Sequence, residues 1–297
     1  MITPQEQYPK LAEVLGLKVP LYFKREDLHP FGSHKGRSIP YMIEQYARGG
    51  ATKFAISSSG NAALAAGLYI QEYNKKFTES PLSLQIFVGE NINPIKYRML
   101  SRLVTPANTD KGEQGRISIT QCEKPKQSVH VLNKKGEAKA LRQSSDDLAL
   151  IGYGSLIDEL KEIGNIGAVF VPTSSGTTAQ ALAESGLPVY VVQTISCHPI
   201  AELFDPIKLA LQDNTSKHSI ADAIVDQIAL RKNKITSKLS GGFIVSEEEI
   251  EKSITLVRQY ADIEISPNSA LSVAALCKTL KQGWQPSSIV VCLITGH

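Results

Sequence analysis

Short apolar runs alternate with longer stretches of helical spacing along almost the whole chain, and this alternation constrains the fold most. The runs at 20–24, 53–57, 82–88, 128–132, 167–171, 188–193 and 288–294 predict strands. The stretches 60–73, 94–103, 153–163, 177–185, 199–211, 246–260 and 268–282 predict helices. Ser246 with Glu249 three residues on is a capping-box signature for one of them. Strands separated by helices cannot pair as hairpins, so the expected class is α/β: parallel or mostly parallel sheets with helices on both faces. In such folds ligands bind beyond the carboxyl ends of the strands. The polar, aperiodic stretch 105–127 predicts an irregular connection.

Composition narrows the function without naming it. The 297 residues suffice for one large domain or two modest ones, and 42% hydrophobic with 21% charged is an ordinary globular balance. A net charge of +3, with basic residues dispersed, gives no footprint for nucleic acid or an anionic membrane. The four cysteines, Cys122, Cys197, Cys277 and Cys292, have no Cys-x-x-Cys pairing and no zinc-ligand spacing. No apolar run is long enough to span a bilayer and no basic-then-apolar leader opens the chain, so the expected location is cytoplasmic.

Four loops carry the candidate chemistry, each placed after a predicted strand. Gly32-Ser33-His34-Lys35-Gly36-Arg37 sets a lysine after a Gly-Ser turn at the start of a helix. There an amine can be held by the backbone and can form a Schiff base with an aldehyde cofactor. Ser57-Ser58-Ser59-Gly60-Asn61-Ala62-Ala63 offers hydroxyls, N–H groups and a helix N-terminus to an anion such as a carboxylate. Pro172-Thr173-Ser174-Ser175-Gly176-Thr177-Thr178 offers the same to a phosphate, without the lysine of a nucleotide-binding P-loop. Leu293-Ile294-Thr295-Gly296-His297 ends a buried strand on a threonine. Read singly, the second and third loops are as easily plain helix caps, and a threonine placed like Thr295 more often merely finishes a strand.

Together the four loops resemble the fold-type II pyridoxal-phosphate enzymes, the tryptophan synthase beta-like superfamily, with threonine synthase nearest. Smaller agreements lie at Leu141-Arg142-Gln143-Ser144, Ile151-Gly152-Tyr153 and 241–246. The chain departs from the threonine synthase pattern at Gly36, where an aspartate is usual. It departs again in the hydroxyl-rich rather than glycine-rich phosphate loop, and at Ser266, where a glutamate is usual.

The resemblance implies pyridoxal 5'-phosphate as cofactor and Lys35 as the catalytic residue, its amine joined to the cofactor and later serving as base at Cα. It assigns Asn61 to the cofactor's phenolic oxygen, Ser174, Ser175, Gly176, Thr177 and Thr178 to its phosphate, and Thr295 to its ring nitrogen. Ser58, Ser59, Gly60 and Asn61 are assigned to the substrate carboxylate. A larger domain, 1–34 with 147–297, and a smaller mobile one, 35–146, would hold the cofactor in the cleft between them. The expected partner is a small amino acid, and a homodimer is usual in such relatives. The implied reaction is elimination or replacement, O-phosphohomoserine to threonine. A serine or threonine ammonia-lyase, or a cofactor-binding protein without turnover, stays open beside it. For a second phosphate the candidates are Lys96, Arg98 and Arg142; Tyr153 either covers the ring or packs in the core.

Overall fold

A computed structural model describes residues 2–104, 116–204 and 218–296. In chain order its strands are β1 (Gln5–Gln7), β2 (Leu21–Arg25), β3 (Lys53–Ser57), β4 (Ser83–Gly89), β5 (Ile117–Cys122), β6 (Lys139–Ala140), β7 (Ile166–Pro172), β8 (Val189–Thr194), β9 (Gly241–Val245) and β10 (Ile289–Ile294). The chain divides into two compact units, Met1–His29 with Tyr153–His297, and Pro30–Gly152.

The first unit holds the sheet β1-β2-β10-β7-β8-β9, parallel throughout except for β1, which runs antiparallel to β2. Strand β10 sits between β2 and β7, with Val291 beside both Tyr22 and Val169. It is therefore buried on both faces, which explains its unbroken apolar run. The helix Pro267–Lys281 lies on this sheet and buries Ala270, Leu271, Val273, Ala274 and Leu276. Ser246 caps the helix Glu247–Ala261 with the reciprocal Glu249 bond that its sequence predicted. Phe170, Tyr190, Phe243 and Trp284 form an aromatic cluster in the same core.

The segment that leads out of β2 is fixed by buried charge. Lys24 is fully enclosed, and its ammonium donates to the Thr3 carbonyl at 2.8 Å and pairs with Glu159. Arg25 pairs with Asp27 at 2.7 Å, which raises the guanidinium pKa against the opposing effect of burial. Removing one partner would leave a buried charge uncompensated, a loss of about 3–5 kcal/mol.

The second unit holds the wholly parallel sheet β5-β4-β3-β6. The helices Lys35–Arg48 and Asn61–Lys76 pack against each other, their apolar faces joining Phe54, Ile56, Leu84 and Ile86 in one core.

Several sequence expectations need correction. Residues 128–132 are not a strand but lie in the helix Pro125–Lys134. Val129 and Leu132 face the core while Val131 is exposed, so the spacing is helical despite the β-branched residues. The stretch expected to be irregular contains β5, an edge strand with only Ile117 fully covered; such an edge carries little hydrophobic pattern. Positions 105–115 of that stretch lie outside the described residues. Of the helix expected over 199–211, the described part contains the short 3-10 turn Ala201–Leu203, and 205–211 lie outside the described residues. Strand β9 was hidden by its glycines. A Cβ at Gly241 would stand 2.9 Å from the Tyr190 ring, and one at Gly242 2.7 Å from that of Phe204.

Candidate functional site

In the first unit the phosphate-loop candidate leaves the carboxyl end of β7 and Thr295 leaves that of β10, its parallel neighbour. The two candidates thus emerge side by side at one sheet edge, because parallel strands put all their carboxyl ends together.

Thr295 is buried, and its place is set by a residue the sequence reading passed over. Ser269, fully buried in the first turn of the helix Pro267–Lys281, accepts the Thr295 N–H at 3.1 Å and the Gly296 N–H at 3.3 Å. Its hydroxyl donates to the Gly296 carbonyl at 3.0 Å and stands 3.5 Å from the Thr295 hydroxyl. Ser266, standing where a glutamate was expected, caps the same helix by accepting the Ser269 N–H, and its hydroxyl donates to the Gly296 carbonyl. The spacing Ser266-x-x-Ser269 before an apolar helix was the available signal. His297 lies outside the described residues.

The loop after β7 runs into the helix Thr177–Glu184. Gly176 precedes it at φ +88, a left-handed conformation that costs glycine little. The helix has no side-chain cap and no acidic residue in its first turn, so its N–H groups and dipole fit an anion. The Ser175 and Thr177 hydroxyls lie 3.0 Å apart. Thr178 is buried at the next position, and Thr173 donates its hydroxyl back to the Val171 carbonyl. Buried Gln193 braces the loop from β8: its Nε2 donates to the Thr173 carbonyl at 3.1 Å, and its Oε1 accepts the N–H groups of Ile200 and Ala201.

Ser174 is engaged differently from its neighbours. Its hydroxyl donates to Asp226 Oδ2 at 2.9 Å and accepts the N–H groups of Val225 and Asp226, each at 3.2 Å. Asp222 and Asn268 tie the same segment down, since Asn268 takes the Ala223 N–H at 3.0 Å and donates to Asp222. Burial and the Asp226 charge push the Cys197 thiol up to about 11.

In the second unit Lys35 is the first residue of its helix and half-buried. Its N–H donates to the Ser33 hydroxyl at 3.2 Å, and Ser33 is fully buried. Gly32 at φ +81 lies so close to the Asn61 helix that a Cβ would stand 2.8 Å from Leu64 Cδ2. This close approach brings the lysine loop onto the first turns of the helix that Asn61 opens. Phe31 adds an edge-on contact with Tyr69 of that helix at 5.8 Å. Ser58 accepts the Gly60 N–H at 3.3 Å, and Ser58, Ser59, Gly60 and Asn61 are all half-buried.

Gln143 donates to Ser38, one turn beyond Lys35, and Gly152 packs on the Ser38 backbone. Two of the three weaker motifs therefore brace the lysine helix. Arg98 and Arg142 are exposed and Lys96 is half-buried. Tyr153 is fully buried.

A cavity of about 390 Å³ in the first unit is lined by His198, Glu202, Gln227 and Lys232 among others, none of them in the four loops. Among the described residues there is no metal-binding group of His, Cys, Asp or Glu, and no helix long and apolar enough to cross a membrane.

The family model described as pyridoxal-phosphate dependent enzyme matches residues 2–296. A threonine synthase of Methanocaldococcus jannaschii is 24% identical over 99% of this chain and 74% of its own length. The mouse serine dehydratase-like protein is 27% identical over 66% of this chain and 57% of its own. Among solved structures, a pyridoxal 5'-phosphate-dependent aspartate racemase superposes with a TM-score of 0.79 at 20% identity, covering all of this chain and 90% of that one. The processed form of threonine deaminase isoform 2 from Solanum lycopersicum gives 0.76 at 19% identity, covering 99% of this chain and 83% of that one. At these identities the superpositions establish the fold.

Proposed function

The chain belongs to the family of pyridoxal-phosphate-dependent enzymes, and within it we propose elimination or replacement chemistry on a small amino acid, in the manner of a threonine synthase. Bound through its aldehyde, the cofactor supplies an electron sink for the bond broken at Cα. The remaining tasks fall to this chain's residues. Lys35 holds the cofactor and then, as a free amine, takes and returns the Cα proton. Ser58, Ser59, Gly60 and Asn61 orient the substrate carboxylate, and Asn61 also meets the cofactor's phenolic oxygen. The Ser174–Thr178 loop holds the phosphate through its N–H groups and the Ser175 and Thr177 hydroxyls.

The observation that carries this reading is the buried Thr295 hydroxyl, fixed beside Ser269 at the end of β10. A neutral hydroxyl cannot keep a ring nitrogen protonated as a carboxylate can, so the sink is moderated and suits elimination and replacement better than transamination. Similarity to threonine synthases over nearly the whole chain favours O-phosphohomoserine as substrate. The serine dehydratase-like relative favours a second reading, a serine or threonine ammonia-lyase.

The test is direct. Purified protein loaded with pyridoxal phosphate should be yellow and should carry a borohydride-fixed adduct on Lys35. Given O-phosphohomoserine and water, it should release one inorganic phosphate per threonine. Ammonia and a 2-oxo acid from serine or threonine would select the second reading. A Lys35→Ala variant that keeps a reducible covalent adduct and its turnover would refute both.

A further inference from the structure

The three bonds at Ser174 have a consequence for the phosphate. A serine hydroxyl has one proton to donate and two lone pairs to accept with. All three are used, on Asp226 Oδ2 at 2.9 Å and on the Val225 and Asp226 N–H groups at 3.2 Å each. The hydroxyl therefore has no hydrogen-bonding capacity left for a ligand.

The bonds also fix what the 225–226 segment brings to the loop. Its two N–H groups, which could have served an anion, are spent on Ser174. What it adds is a carboxylate, anchored one residue from Ser175 and three from the first residue of the helix that supplies the anion field. The surrounding contacts hold it there: Asn268 takes the Ala223 N–H, and Gln227 donates to the Ser196 carbonyl at 2.9 Å. The loop itself, Thr173 to Thr178, contains no lysine or arginine; the cation beside it is buried Arg231, which packs on Gly176 and donates to Gln180 of the same helix at 2.8 Å.

We propose that Asp226, latched by Ser174, is a negative charge set against the phosphate loop that weakens its grip on the cofactor's phosphate, and that the Ser174 hydroxyl serves this latch rather than the phosphate. The proposal rests on the loop being the cofactor's phosphate site. Asp226 is then a residue that sets cofactor affinity without touching the reacting atoms, keeping the loaded and empty forms closer in free energy than the loop alone would.

The measurement is binding, not turnover: pyridoxal phosphate and pyridoxal, which lacks the phosphate, titrated by absorbance into wild type, Asp226→Asn and Ser174→Ala. Asparagine keeps an oxygen to accept the Ser174 proton and removes only the charge. Asp226→Asn should bind pyridoxal phosphate about three- to tenfold more tightly than wild type, as expected for one unit charge several ångströms from a phosphate at a partly solvated site, with pyridoxal affinity unchanged. Ser174→Ala should bind pyridoxal phosphate no more weakly than wild type.

Equal or weaker pyridoxal phosphate binding by Asp226→Asn, or an equal gain for pyridoxal, overturns the proposal. So does a weaker grip in Ser174→Ala. A purely structural role for Asp226 predicts the opposite sign, because a loosened loop holds phosphate less well. Wild type that took up no pyridoxal phosphate would sink the parent reading of the loop and this proposal with it. Wild type that binds while the variants fail their signs sinks this proposal alone.

Discussion

Replacing Ser269 by alanine should unfasten the end of β10. The Ser269 hydroxyl accepts the Thr295 N–H at 3.1 Å and the Gly296 N–H at 3.3 Å, in a region closed to solvent. Each buried N–H left without a partner costs about 1–3 kcal/mol, and bonds of this length belong at the low end. The Gly296 carbonyl also loses Ser269 at 3.0 Å but keeps Ser266. Alanine is the better helix former by about 0.5 kcal/mol, which offsets part of the loss. The net expectation is a loss of about 1.5–2 kcal/mol in the first unit.

Trp284 reports on that unit, since it is the only tryptophan in the chain and packs edge-on against Phe170 at 6.1 Å. Urea unfolding followed by its fluorescence should show a midpoint lower by about 0.5–1 M, taking a denaturant slope of about 2–3 kcal/mol per molar. A shift below about 0.2 M would mean that Thr295 is held by something else, and the positioning argument for it would fall.

Gly176→Ala forces a side chain into φ +88, where its Cβ would stand 3.1 Å from Ile235 Cδ1 and 3.2 Å from Ile200 Cδ1. The backbone strain alone is about 1–2 kcal/mol, so the Trp284 transition should weaken by at least that, and an unchanged midpoint would contradict the loop geometry. Gly152→Ala would bring a Cβ 2.6 Å from the Ser38 Cα, a backbone atom that cannot swing aside. Overpacking of this kind costs about 1–3 kcal/mol, and thermal unfolding followed by far-UV circular dichroism should reveal a less stable second unit. Burial pushes the Cys197 and Cys277 thiols up to about 11. At pH 8 only about 0.1% of either is then the reactive thiolate, so a disulfide reagent should modify half-exposed Cys122 first. Because these folded-state values exceed the unfolded one of 9.0, the folded chain holds more protons above that pH. Stability should consequently fall as pH rises from about 9 toward 11; a rise would refute the assignment.

Most of the architecture was legible in the chain itself. Buried parallel strands such as β7 and β10 must be apolar on both faces, and the helices between them must cover the sheet, so the pattern leaves little choice. The elements that escaped include the short β1, β6 and the helix Pro9–Val14, and those whose pattern is diluted: β5 at an edge, β9 behind two glycines, and the helix Pro125–Lys134 with its β-branched residues. The candidate loops stood out because Lys35, Ser58 to Asn61, Ser174 to Thr178 and Thr295 fall in distinctive combinations of residue types.

What the sequence by itself determined is therefore the parallel α/β class, and it marked four loops as candidates for the chemistry proposed above. Which neighbour each residue serves was decided only by tertiary structure. Ser269 and Thr295 are 26 positions apart, Ser174 and Asp226 are 52 apart, and each pair is joined by a hydroxyl that local pattern treats as an ordinary cap. Hydrogen bonds need atoms within about 3 Å with the right direction, and that condition is met across the sheet's carboxyl edge, not along the chain. The same residue type, serine, consequently caps a helix at Ser266, positions a threonine at Ser269 and anchors a carboxylate at Ser174.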